Sequence, residues 1–243
     1  MLFDVAKRKY VVTGATSGIG EVTARLLRSC GAAVVAVGRQ KDKLALLKEE
    51  IGCETLVLDI ADDRAMEVAL QDVRGIDGLV NCSGISVLEN SLALTSENFD
   101  RVMQVNARGT AMMSRHVAAT MIREGRSGSI VNVSSQAALV ALDDHLAYCA
   151  SKAAMDAITR VMCAELGPHR IRVNSVNPTV TLTPMALQAW ADPEKNRRVL
   201  EAIPLRKFAA PEDVAAPILF LLSDAAAMIS GVSLPIDGGY TSQ

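Results

Sequence analysis

Aromatic side chains are scarce in this chain, where Phe, Trp and Tyr make up 3% of 243 residues. Its core therefore cannot rest on stacked rings, and must come from the aliphatic residues of an apolar half. Ala, Val, Leu and Ile suit helices packed closely on a buried parallel sheet. Charge of one sign is also lacking. The formal net charge is −2, with acids and bases interspersed, which excludes the one-sided basic field that nucleic acid or an anionic membrane requires. The cysteines (Cys30, Cys53, Cys82, Cys149 and Cys163) are odd in number and form no C-x-x-C pair. Neither a disulfide framework nor a metal site is expected from them, and a reducing compartment fits. No apolar run approaches the roughly 18 residues of a membrane helix. The first residues carry charge rather than an apolar stretch of signal-peptide length. No repeat, low-complexity tract or linker divides the chain. The expectation is one domain over 1–243, cytoplasmic, with neither membrane nor nucleic acid as partner.

What is present is a regular alternation. Short apolar runs at 9–13, 33–37, 55–58, 79–81, 129–133, 171–176 and 232–236 read as strands. Longer amphipathic stretches separate them, at 18–30, 42–50, 62–73, 96–123, 144–166 and 211–222. Gly31 and the pair Gly167-Pro168 end two of these helices. Only 177–204 breaks the rhythm, with prolines, threonines and a lone Trp190, and it reads as an irregular substrate loop or lid at about 179–210. Strands alternating with helices predict an α/β protein with a doubly wound parallel sheet of about seven strands, covered on both faces. Ligands bind such sheets beyond the carboxyl ends of the strands.

The motifs follow strands, as that rule requires. Thr13-Gly14-Ala15-Thr16-Ser17-Gly18-Ile19-Gly20 closes the first strand and opens the first helix. Its glycines let the backbone approach a pyrophosphate, which the helix N-terminus stabilises. An NAD site usually carries a carboxylate at the end of the second strand. Here Gly38-Arg39 stands in that place, and a guanidinium pairs with a 2′-phosphate, so the expected cofactor is NADP(H). Asp59 either accepts from the adenine amino group or caps the next helix. Tyr148 and Lys152, four apart, share one helix face, where an ammonium would lower a phenol's pKa. Ser135, at the end of a buried strand, could stabilise a developing alkoxide. Asn106 lies mid-helix, a poor place for Asn unless its amide has a partner.

Together these residues resemble the short-chain dehydrogenase/reductase family, in its one-domain branch, essentially from end to end. Thr13–Gly20 matches the family's Thr-Gly-x-x-x-Gly-x-Gly turn, and Asn106, Ser135, Tyr148 and Lys152 match its catalytic tetrad in order and spacing. The resemblance implies a Rossmann-type fold, with Tyr148 as acid/base and Lys152 as pKa modifier and ribose ligand. It further implies Ser135 on the substrate and Asn106 holding a water. Asn81 and Gly84 keep the functional parts of the family's Asn-Asn-Ala-Gly segment, which here reads Asn81-Cys82-Ser83-Gly84. The usual Pro-Gly after the sixth strand appears as Pro178-Thr179-Val180, so Thr179 and Val180 are expected at the nicotinamide.

Within the family, Val133-Ser134-Ser135-Gln136 and Val176-Asn177-Pro178-Thr179-Val180 resemble the branch that reduces ketoses and α-dicarbonyls. That likeness implies a small carbonyl or sugar-alcohol substrate, a homotetramer, and Gln136, His145 and Trp190 at the substrate. His145 could instead be a solvated residue near a helix start, and Trp190 a packing residue. Two alternatives remain. A 3-oxoacyl-thioester reductase would need basic residues such as Arg108, Arg115 or Arg206 around the pocket mouth. A catalytically idle NADP(H)-binding sensor or structural subunit is the alternative of another class, and the intact tetrad stands against it.

Overall fold

The computed structural model describes residues 3–189 and 192–243. It contains the strands β1 (Lys9–Thr13), β2 (Ala33–Gly38), β3 (Glu54–Val57), β4 (Ile76–Asn81), β5 (Gly128–Val133), β6 (Ile171–Pro178) and β7 (Ser233–Ile236). All pair in parallel, in the order β3-β2-β1-β4-β5-β6-β7. The chain first builds outward through β2 and β3, then returns to the other side of β1 to lay down β4. That reversal opens a crevice above the carboxyl ends of β1 and β4, where such sheets bind ligands.

The inner strands are valine-rich because both faces are covered. Tyr10 and Val12 of β1 point to one face with Val34, Ala36, Val80 and Val131, while Val11 points to the other with Val35, Leu79 and Ile130. The first face is covered by α1 (Gly18–Ser29), α2 (Lys41–Ile51) and α9 (Pro211–Leu222), through Leu27, Leu44, Leu47, Val214 and Ile218. The second is covered by α3 (Asp63–Leu70) and α5 (Thr110–Arg123), through Met66, Leu70, Met113, Val117 and Met121. Two more helices, α4 (Ser96–Met103) and α6 (Leu146–Leu166), pack against each other on that side. Among the described residues no helix is long and apolar enough to cross a membrane.

Two departures from the sequence reading bear on the site. The stretch 96–123 is not one α-helix. A π turn, Gln104–Gly109, separates α4 from α5, and Asn106 lies within it. Such turns widen a helix locally and recur at functional sites. The stretch after β6 is not irregular throughout, because it holds α7 (Pro184–Ala189) and α8 (Pro193–Ala202), each begun by a proline at its first position.

Candidate active site

The groove above the switch point has a volume of about 360 Å³. Its floor at one end is the turn between β1 and α1. Gly14 and Gly18 adopt φ of +67° and +55°, which favours glycine. A Cβ on Gly20 would lie 2.4 Å from the Gly14 carbonyl oxygen. Ser17, at the N-cap of α1, makes no side-chain cap hydrogen bond. The first-turn N–H groups of that helix therefore face the groove without a side-chain acceptor, the arrangement that receives a phosphate. Thr16 packs over Gly38, where a Cβ would meet its methyl at 2.9 Å. These are cradles that only backbone can fill, and they fit a dinucleotide.

Arg39 and Asp59 stand at the rim beyond Gly38, with Nη1 and Oδ2 3.7 Å apart and both side chains substantially exposed. The two readings of Asp59 separate here. The N-cap of α3 is Asp62, whose carboxylate accepts from the Ala65 N–H. Among the described residues Asp59 accepts a hydrogen bond only from Ala61 N–H, in a local turn, and it lines the groove. Next, the Thr13 hydroxyl oxygen accepts from the N–H groups of Cys82 and Ser83 at 3.0 and 3.1 Å, which fastens the segment after β4 to the end of β1. Composition did not single out Thr13. Asn81 donates to Ser114 and Asn132, both at 2.8 Å, so it supports the sheet edge rather than lining the groove. Gly84 lies close under the tetrad, and a Cβ there would approach Asn106 Oδ1 at 3.3 Å and Lys152 Nζ at 3.6 Å.

The tetrad residues come together from three elements: the π turn, the end of β5 and α6. Asn106 is fully buried; its Oδ1 accepts from Ile85 N–H, and its Nδ2 donates to the Ile85 carbonyl and to Ser151 Oγ. That answers the mid-helix oddity of the sequence, for the amide has its partners. It also spends the side chain on protein, so any water held at this position falls to the main chain. Ser135 follows β5 and accepts from Ala137 N–H with its hydroxyl. Tyr148 and Lys152 project from α6, with the ammonium 5.6 Å from the phenol ring centroid. Lys152 is nearly buried and donates to the Val133 carbonyl at 2.7 Å. Burial pushes the Tyr148 phenol up to about 12, opposed by the hydrogen bond from Ser135. Burial likewise brings the Lys152 ammonium down to about 8.

The substrate end holds the remaining residues. His145 is not a solvated residue: it is buried, its ring meets that of Tyr148 edge-on at 6.1 Å, and its Nδ1 lies 2.6 Å from the Asp143 carbonyl. Gln136 is also buried and lines the groove, and among the described residues neither of its amide atoms meets a partner. The Thr179 hydroxyl, after β6, is in the same condition. Val180 lies beside it in the lining. Trp190 lies outside the described residues. Ile85, Leu142, Thr183 and Met185 also line the groove; as ordinary apolar or small loop residues they carried no sequence signal.

Residues 14–241 match the family profile described as Enoyl-(Acyl carrier protein) reductase. L-xylulose reductase of Bos taurus is 47% identical over 237 residues, covering 97% of each chain. D-erythrulose reductase of Gallus gallus is 46% identical over 234 residues, covering 96% of this chain and 95% of its own. Among solved structures, a putative NAD(P)-dependent gluconate 5-dehydrogenase from Beutenbergia cavernae with bound NADP superposes with a TM-score of 0.96. It is 32% identical and the alignment covers 100% of both chains.

The depressed pKa of Lys152 has a measurable consequence. Between about pH 8 and the usual 10.5 the unfolded chain holds a proton that the folded protein has released. Stability should therefore rise with pH through that window, and below it the buried ammonium is a standing cost. Lys152→Met is expected to raise the unfolding free energy of the cofactor-free protein at pH 7 by about 1–2 kcal/mol, net of the lost bond to Val133. The gain should shrink as the pH approaches 10.5. Urea denaturation at a series of pH values measures it, and a less stable variant at pH 7 would contradict the argument.

Proposed function

The chain belongs to the short-chain dehydrogenase/reductase family, and from that membership we propose that it reversibly reduces a small ketose or α-dicarbonyl with NADP(H). The observation that carries the choice of substrate is the buried Gln136 amide. A buried amide without partners is unfavourable, and an apolar substrate would leave it so. A hydroxyl or second carbonyl next to the reacting ketone would satisfy it. The L-xylulose and D-erythrulose reductases among the relatives act, by their names, on ketoses of that kind.

The roles follow from placement. Gly14, Thr16, Ser17, Gly18, Ile19 and Gly20 would hold the pyrophosphate, Arg39 the 2′-phosphate, Asp59 the adenine, and Thr179 and Val180 the nicotinamide amide. When bound, the cofactor supplies the hydride. Ser135 holds the carbonyl oxygen, and Tyr148 gives its proton to that oxygen as the carbon becomes an alcohol. A phenol pushed up to about 12 keeps its proton at neutral pH, and an alkoxide is the stronger base, so transfer runs downhill. Lys152, close under the ring, would bind the ribose and stabilise the phenolate left behind.

The thioester alternative asks for cations at the groove mouth. Arg108 points to the Ala61 carbonyl, Arg115 pairs with Asp63, and Arg206 folds onto the Glu201 carbonyl. None of the three lines the groove, whose only Lys and Arg among the described residues are Arg39 and Lys152. The ketose reading is preferred on that ground. The same reading takes the chain as a single NADP(H)-binding catalytic domain over 1–243, with a lid at about 179–210. Free cysteines favour a cytoplasmic setting. It also takes the protein as a homotetramer, because α6 leaves Ala153, Ala157 and Val161 exposed in a small apolar face. Sedimentation as a monomer would remove that part.

NADPH oxidation with L-xylulose, diacetyl and an acetoacetyl thioester, repeated with NADH, tests the reading. Turnover of the sugar or diacetyl with NADPH preferred is expected. Tyr148→Phe should lower kcat by roughly 10²–10⁴, the usual contribution of an acid/base group. Preference for the thioester, or near-normal turnover by that variant, would overturn the proposal. Gln136→Leu should raise KM for L-xylulose by about 10-fold or more, because one hydrogen-bonding partner is lost. An unchanged KM would show that the amide does not read the substrate.

A further inference from the structure

The tetrad face of α6 continues one turn past Lys152 to a carboxylate that the mechanism does not use. Asp156 is buried, and among the described residues no cation forms an ion pair with it. Its Oδ1 accepts from Ser175 Oγ at 2.9 Å, and its Oδ2 accepts from Asn177 Nδ2 at 2.8 Å. Asn177 is itself fully buried, and the same Nδ2 donates to the Ser135 main-chain carbonyl at 3.0 Å. Lys152 acts on this carboxylate only from one turn away, and burying a carboxylate outside ion-pair range is unfavourable, so a well-packed apolar side chain would serve stability better. The arrangement calls for a reason other than packing.

The reason lies in where the chain of bonds ends. The Ser135 carbonyl has two donors. One, Ala138 N–H, belongs to the same short turn. The other, Asn177, reaches across from β6 and is itself held by α6, the helix of Tyr148 and Lys152. We propose that Asp156 is a positioning residue for Ser135, acting through Asn177 to fix the Ser135 hydroxyl relative to the Tyr148 phenol. The carboxylate fixes which way the Asn177 amide faces. With an acceptor-only group on one side, Nδ2 must point toward both Asp156 and Ser135, and Oδ1 must point away. Oδ1 then lies 3.4 Å from Ser175 Oγ. Three elements of the site, the end of β5, the end of β6 and α6, are locked together by one amide.

Asp156→Ala, Asp156→Asn, Asn177→Ala and the exchange Asp156→Asn/Asn177→Asp separate this role from a structural one. Each is assayed for kcat and KM with diacetyl and NADPH, for NADPH affinity by fluorescence, and for melting temperature. Asp156→Ala and Asn177→Ala should each lower kcat by about 10–100-fold, the scale of a small misplacement of a reacting group, while NADPH affinity holds. Asp156→Asn should recover most of that loss, because its Oδ1 still accepts from Asn177 and its Nδ2 can donate to Ser175 Oγ. The exchange restores a carboxylate–amide pair, so the melting temperature should recover. A carboxylate at 177 offers no donor to the Ser135 carbonyl, so kcat should stay low.

Recovery of kcat together with melting temperature in the exchange, or normal kcat in Asn177→Ala, overturns the proposal. If Asp156→Ala does not fold, the comparison of Asp156→Asn with the exchange decides alone. The inference rests on Ser135 touching the substrate, and Ser135→Ala checks that separately. An active Ser135→Ala removes both readings, whereas an inactive one beside a normal Asn177→Ala removes only this one.

Discussion

A lysine ammonium kept out of water at the carboxyl edge of a parallel sheet is the constraint around which this site is built. Lys152 donates to the Val133 carbonyl and lies close below the Tyr148 ring, and burial draws its pKa down toward the physiological range. The fold answers that cost with neighbours rather than with solvent. Ser134 Oγ ties back to the Lys152 carbonyl, and Asp156 one turn away favours the charged form. Gly84 closes that side without a side chain, where a Cβ would press on Asn106 Oδ1 at 3.3 Å and touch the ammonium at 3.6 Å. Burial of the ammonium works against stability, so its retention points to the role proposed for it beside Tyr148 rather than to packing.

Buried polar side chains carry the same logic across the sheet edge. Asn81, Asn132 and Thr159 form one run from β4 through β5 to α6. Asn106 and Ser151 form another from the π turn to α6, and Asp156, Asn177 and Ser135 a third. Partnered in this way, such groups fix one arrangement of the elements, because a shift would leave amides unpaired in a low-dielectric interior. Gln136 and Thr179 are among the buried side chains with polar atoms that meet no partner among the described residues, as Tyr10, Asn81 and Thr110 also are, but these two line the groove. Both face the groove, and unsatisfied polar atoms there are ready for a ligand in a way that unsatisfied atoms in the core would not be.

Much of this was legible from residues alone, for a physical reason. Parallel strands buried on both faces leave continuous valine-rich runs, and the glycine turn and Tyr-x-x-x-Lys fall where strands end. The start of β4 was less legible, since Gly78 pairs with Tyr10 and Ser129 although glycine gives little strand signal, and Asp77 falls at an irregularity in the β1 ladder without a strand partner. The region 177–204 read as irregular because Pro184 and Pro193 look like breakers, though proline at a first helical position begins a helix. His145 read equally well as solvated or as a pocket residue, because only the fold decides whether a loop histidine is covered. Asp156 gave no signal, and Asn177 entered only as one residue of the Val176–Val180 segment, because a pairing that spans two elements leaves no pattern along the chain.

Cofactor choice shows how weak a contact can matter. Arg39 and Asp59 face each other at 3.7 Å, both well exposed, and such pairs contribute little, typically about 0–1 kcal/mol. Little is therefore lost when the guanidinium turns from Asp59 to a 2′-phosphate, which offers a fork-shaped acceptor with more charge. A cofactor lacking that phosphate gains nothing from Arg39, and no carboxylate ends β2 to accept from its ribose. On the role proposed for Arg39, preference for NADP(H) would follow from an arginine held loosely at the rim, with Asp59 keeping it near the end of β2.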